Sequence, residues 1–301
     1  MEAAGVSGEA GVGETGSAGE RAGGVSGAGG LSGAAEGVGE QALRVGWRAP
    51  EVEQELPQLR LILARARVTR AGAVNGRSPP GVRQRVHECA NRYRGARAIG
   101  VRREPVPSAY RVFYRQIGLD PEVVRTPIEA VVLERMMHGG FRSEGLLADA
   151  LLIALIDTGV PVWALDAAAL DGELGVRLSR AGEPLGRAPD APMLPAGRLV
   201  VADRLGPGAG LGPGAGLGVG AGLGPGAGLD AGDGPDGAEG SVVLGSLFGE
   251  LAPDCRPGAH TQELELFAVQ VAGVPTLYVE EALWSSRAIL EQGYSPSEKH
   301  W

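Results

Sequence analysis

The side chains able to do chemistry in this 301-residue chain are few and scattered, apart from one arginine-rich stretch. Residues 60–103 hold twelve arginines against a single acid, Glu88. Such a run can track a phosphate backbone. It makes Arg83, Arg85, Arg92, Arg94, Arg97, Arg102 and Arg103 the candidate RNA-binding residues. The same run also reads as ordinary surface charge, because arginine is nearly the sole cation of a chain with one lysine, Lys299. Asp149 stands in an almost wholly apolar segment, where a carboxylate needs partners. It is either a pocket group, or it caps a neighbouring turn or pairs with an arginine such as Arg125. Asp166 and Asp203 each end an apolar run, where aspartate commonly closes a turn. Trp163, Phe248 and Phe267 either line a pocket for a flat ligand, such as a base or an aromatic amino acid, or fill the core of a sheet. His260-Thr261 near Glu250 pairs a base with a hydroxyl, but a lone loop histidine is the simpler reading. Four His and two Cys, dispersed, give no metal-ligand spacing, and no Gly-x-Ser-x-Gly elbow occurs. Cys89 lies on an apolar helical stripe, so it is expected in the core. Cys255, between Asp254 and Arg256, is expected at the surface.

The elements that position these residues lie between two glycine-rich segments. Of 51 glycines, 31 fall in residues 1–46 and 206–240. Residues 1–46 carry too little apolar surface to offset ordering entropy and are expected to be disordered. Residues 206–229 are four tandem hexapeptides of the GPGAGL kind, expected as a disordered loop between two strands. Both segments are acidic and account for the formal net charge of −8. No apolar segment follows Met1 and no run is long enough to span a bilayer, so a cytoplasmic protein is expected. Periodicity predicts helices from Ser78 to about Tyr93, Tyr110–Ile117, Pro127–His138, Ser143–Thr158 and about Val279–Gln292. It predicts strands over Leu59–Arg65, Val160–Leu165, Glu173–Leu178, Arg198–Ala202, Val242–Phe248 and Leu264–Val271. Ser78 and Ser143 are read as helix caps. Helices first and strands later argue for α+β with an antiparallel or mixed sheet.

An ordered string of short motifs then resembles a known family. Arg125-Thr126-Pro127-Ile128-Glu129-Ala130 is similar to an Arg-Pro-Ser-x-Glu-Ala helix start. It is followed by Ala148-Asp149, Gly159-Val160-Pro161, a strand ending in Asp166, Gly172, Val176-Arg177 and Gly182-Glu183. Leu199-Val200-Val201-Ala202-Asp203, the Gly245–Glu250 segment and Thr261-Gln262 complete it. From Tyr110 to about Val271 the chain resembles the B3/B4 domain of the phenylalanyl-tRNA synthetase beta subunit. The resemblance implies one domain over residues 47–301 with a barrel-like sheet wrapped by helices. It implies tRNA or RNA as partner; no cofactor and no metal are expected, and the oligomeric state is left open. It places Arg125, Asp149, Trp163, Asp166, Gly245, Phe248 and Phe267 around the family's pocket. Where that family has an editing His and Glu, this chain has Trp163 and Phe267. The expected function is a free-standing tRNA- or RNA-binding protein. The alternatives are an aminoacyl-tRNA ester hydrolase acting in trans, its catalytic residues unassigned, and a non-catalytic small-molecule-binding or scaffold protein.

Overall fold

A computed structural model describes residues 42–68, 74–204 and 241–292. The described chain opens with β1 (Arg44–Val45), β2 (Trp47–Arg48), the short helix α1 (Pro50–Glu55) and β3 (Arg60–Arg67). Five helices follow: α2 (Pro80–Cys89), α3 (Ala96–Gly100), α4 (Pro105–Gln116), α5 (Pro127–His138) and α6 (Leu146–Thr158). Next come β4 (Val162–Asp166), β5 (Glu173–Leu178), β6 (Glu183–Pro184), β7 (Met193–Leu194), β8 (Leu199–Arg204), β9 (Val242–Ser246) and β10 (Glu263–Gln270). The helix α7 (Thr276–Gln292) closes the described chain.

The strands form two four-stranded sheets, ordered β1-β3-β10-β4 and β2-β5-β8-β9, and a β6-β7 ribbon. The first sheet is antiparallel throughout, with β10 paired along the whole of β3. The second is mixed, because β2 runs parallel to β5. The α+β class therefore stands. No closed barrel is found among the described residues, which corrects the barrel-like expectation. The tandem hexapeptides and residues 1–41 lie outside the described residues.

Two helices show how local sequence sets boundaries. At α5, Pro127 takes the first turn, where its missing N–H costs nothing. Thr126 donates its N–H to Glu129 Oε2 at 3.3 Å and its hydroxyl to the same oxygen at 2.7 Å. Gly139, at φ 76°, ends the helix. The helix α6 is apolar nearly all round, as a helix buried on most sides must be. It packs against α7 and α2. Gly159, also at φ 76°, ends α6, and a Cβ there would lie 3.2 Å from Val106 Cγ1.

Several expected boundaries move. The helices α2 and α6 start at Pro80 and Leu146, with Pro79 and Gly145 at their caps rather than Ser78 and Ser143. Both serine hydroxyls are spent on Asp149 instead. The helix α4 starts at Pro105, five residues before Tyr110. Cys255 is fully buried, contrary to expectation. The backbone turns it inward in a short 3₁₀ segment at Pro253–Cys255, and Arg187 Nη1 lies 3.8 Å from its sulfur.

Candidate functional site

A cavity of about 380 Å³ opens between α5, α6 and the start of β4. Val131, Leu151, Leu152, Leu155, Val162 and Trp163 give it apolar walls, while Glu134, His138, Arg142 and Glu144 contribute polar groups. This is the size and character of a small-molecule site. The Gly139-Gly140 stop of α5 brings His138 and Arg142 to it, because the chain turns back there. His138 was expected only as the last residue of its helix, and its place on this cavity was not foreseen. Its Nδ1 lies 3.0 Å from Glu134 O.

Asp149 also lines the cavity, 1% exposed. It accepts from the Ser78 hydroxyl at 2.6 Å, the Ser143 hydroxyl at 2.5 Å and the Glu144 N–H at 3.1 Å. The carboxylate therefore fastens two loops to the first turn of α6. Arg125 is exposed, two residues before α5, and is not a hydrogen-bond partner of Asp149.

Trp163 joins the cavity to an aromatic cluster. Its ring stacks on Phe267, centroids 5.5 Å apart and planes 13° apart, because the two residues are register partners in β4 and β10. Phe248 meets Trp163, Tyr110, Phe113 and Tyr114 edge to face at 5.1–5.9 Å, the geometry ring quadrupoles favour. Phe248 holds φ 59°, a conformation that costs a non-glycine residue energy and persists only where packing enforces it. Burial pushes the Tyr110 and Tyr114 hydroxyls above their usual range, and Glu129 adds to the effect at Tyr114. Gly245 is buried in β9, where a Cβ would fall 2.8 Å from Leu251 Cδ2. Asp166 accepts from the Thr261 hydroxyl at 2.6 Å and from the Ala168 N–H at 3.0 Å. Of the seven pocket candidates, Asp149 and Trp163 line the cavity, Phe267 and Phe248 pack against Trp163, and Asp166, Gly245 and Arg125 lie apart from it. Trp and Phe carry no group able to move a proton.

Sequence reading also passed over Glu265, two residues before Phe267 on the same face of β10. It is 2% exposed and ion-paired with Arg44 at 2.5 Å and Arg65 at 3.3 Å. Its signal was the charge breaking an otherwise apolar strand.

The arginine-rich stretch divides when folded. Arg85 and Arg92 both pair with Asp157 in the last turn of α6, tying α2 to it. Arg83 donates to Ser78 O at 2.9 Å, Arg97 to Glu104 at 3.1 Å, and Arg102 lies 3.8 Å from Glu122. Arg94 and Arg103 are exposed, and neither pairs with an acid among the described residues. Among the described residues, no group of three or more His, Cys, Asp or Glu is placed to hold a metal ion. None of the described helices is long and apolar enough to cross a membrane.

These features define an α+β protein with an apolar cavity beside a stacked Trp–Phe pair and an arginine-rich stretch partly neutralised by its own acids. No family model matches the chain. A 68-residue stretch, 23% of the chain, is 40% identical to part of the phenylalanine–tRNA ligase beta subunit of Xanthomonas axonopodis pv. citri (strain 306). The match spans 8% of that subunit's length.

Proposed function

We propose that this chain is a free-standing tRNA- or RNA-binding protein on a B3/B4-like domain. The observation that carries the reading is the 68-residue likeness to a tRNA ligase subunit. Support comes from the order of motifs between Arg125 and Val271 and from the cavity walled by α5, α6 and β4. Arg94 and Arg103 meet phosphate most directly, since their charge is not spent on protein acids. Arg83, Arg85, Arg92, Arg97 and Arg102 contribute a positive field from positions they also hold structurally.

Binding of labelled bulk tRNA, followed by anisotropy from low to physiological salt, tests this. Log affinity should fall linearly with log salt, and R94A/R103A should flatten the slope by about one for each phosphate no longer engaged. Absence of binding at low salt overturns the proposal. A second reading, hydrolysis of a mischarged aminoacyl-tRNA ester, is favoured by His138 and Glu134 on the cavity. It requires faster deacylation than in buffer alone and loss of that rate in H138A.

A further inference from the structure

A second cavity, of about 540 Å³, shares no lining residue with the first. It lies where α1, the C-terminal end of α4 and the ends of β5, β8 and β9 converge. Val52, Leu56, Ile117, Leu119, Leu199 and Leu247 supply an apolar lining. Glu51 and Glu55 are four residues apart on α1, so their carboxylates share one side of the helix. Arg198, Gln116 and Ser246 complete the polar lining.

The charges of this cavity are unspent. The acid between the pair is consumed, since Glu53 binds Arg48 at 3.3 Å. Glu51, Glu55 and Arg198 make no ion pair among the described residues, and their side chains donate or accept no hydrogen bond there. The twelve-residue helix α4 ends against the same cavity, at Gln116–Leu119. A helix C-terminus carries partial negative charge, which adds to that of the two carboxylates. A cavity in the ligand-sized range, lined by two carboxylates, a helix C-terminus and a guanidinium that pairs with neither carboxylate, is complementary to a molecule carrying both charges.

We propose that this cavity binds a small organic amine with an apolar body and an anionic group at the far end. The ammonium sits by Glu51 and Glu55, the body against Leu56, Ile117 and Leu247, and the anion by Arg198. The reading stands independently of RNA binding, since it uses none of the same residues.

The test is titration of the full chain with 4-(2-aminoethyl)benzoate, phenethylamine and 2-phenylethanol, followed by amide chemical shifts. The first probe should bind most tightly, with shifts centred on Gly118, Gly197, Leu199 and Leu247. Phenethylamine should bind more weakly and the alcohol weakest. E51Q/E55Q should weaken the first two probes at least about tenfold, roughly the change produced by removing one charge-assisted hydrogen bond. R198A should bring the first probe down to phenethylamine. All three substituted side chains face a solvent-open cavity, so melting curves of the variants should match the parent. Equal binding of the three probes, no binding, or affinity unchanged in E51Q/E55Q overturns the proposal. tRNA binding measured on the same variants should be unaltered, which separates the two readings.

Discussion

Single buried side chains here mostly serve as fasteners, and Asp149 shows how. One carboxylate holds Ser78, Ser143 and the Glu144 amide, so the distant Ser78 loop and the Ser143–Glu144 loop meet at the start of α6. D149N keeps the volume but swaps an acceptor for a donor facing two hydroxyls. Equilibrium urea unfolding should show a loss of about 1–3 kcal/mol, the usual cost of leaving buried polar groups mismatched. S78A and S143A should each cost less, because the carboxylate keeps its other donors. The two thiols give a pH prediction. Burial pushes Cys89 up to about 12, with Asp157 adding to the effect, and pushes Cys255 up to about 11, helped by Asp254. Unfolded thiols ionise near 9. Between that value and the folded ones, the unfolded chain has released protons the folded chain still holds. Stability is therefore fully present below pH 9 and falls as pH rises toward 11–12. Urea midpoints at pH 8 and pH 10 should show the drop. Both thiols should resist a disulfide reagent at pH 8 until the protein unfolds, and rapid native labelling would contradict their burial.

At the scale of elements, the sequence was most readable where a helix carried its own punctuation. Thr126-Pro127, Glu129 and Gly139-Gly140 set both ends of α5 without help from the rest of the molecule. The expected strand Glu173–Leu178 also matches the observed β5. The failures share one cause, which is that tertiary partners took over local signals. Ser78 and Ser143 look like helix caps, yet their hydroxyls are drawn to Asp149. Cys255 has charged neighbours in sequence, yet the chain turns it inward beside Arg187. The two-residue strands β1 and β2 exist through their partners and have no period to read. The placement of β2 rests on a close approach at Gly175. A Cβ on Gly175 would lie 2.1 Å from Trp47 Cδ2, and Trp47 Nε1 donates to Glu173 O at 2.7 Å. The same Cβ would lie 2.3 Å from the Trp47 backbone oxygen, so G175A should push both the indole and β2 off β5 and cost about 1–3 kcal/mol or more, as overpacking does. If the indole is the reason, W47A should cost less in the G175A background than in the parent. A double-mutant cycle with coupling below about 0.5 kcal/mol would rule the indole out as the cause.

At the scale of the whole molecule, the site was less legible than the fold, because a cavity is made by elements far apart in sequence. Trp163 and Asp149 could be named from motif order, but His138, Glu134 and Arg142 join them only when α5 ends against α6. The basic stretch read as one feature, whereas folding divides it into arginines held by Asp157, Glu104 and Glu122 and arginines left facing outward. Topology adds a test of what the glycine-rich segment contributes to the fold. Asp203 in β8 stands opposite Val242 in β9, so Arg204 and Ser241 are adjacent ends of an antiparallel pair. The 36 residues 205–240 join two points that a tight turn can span. Replacing them with Asn-Gly, a pair suited to the left-handed backbone of a two-residue hairpin, should preserve the register. Shortening the loop about eighteenfold reduces its closure entropy cost by about 2.5 kcal/mol. The trimmed protein should melt a few degrees above the parent, and Asp203 should keep its bonds to the Val242 and Asp171 amides. A lower melting temperature would show that residues 205–240 make stabilising contacts. Unchanged tRNA affinity in the trimmed protein would place RNA recognition on the folded domain, whereas a large loss would move it to the glycine-rich segment.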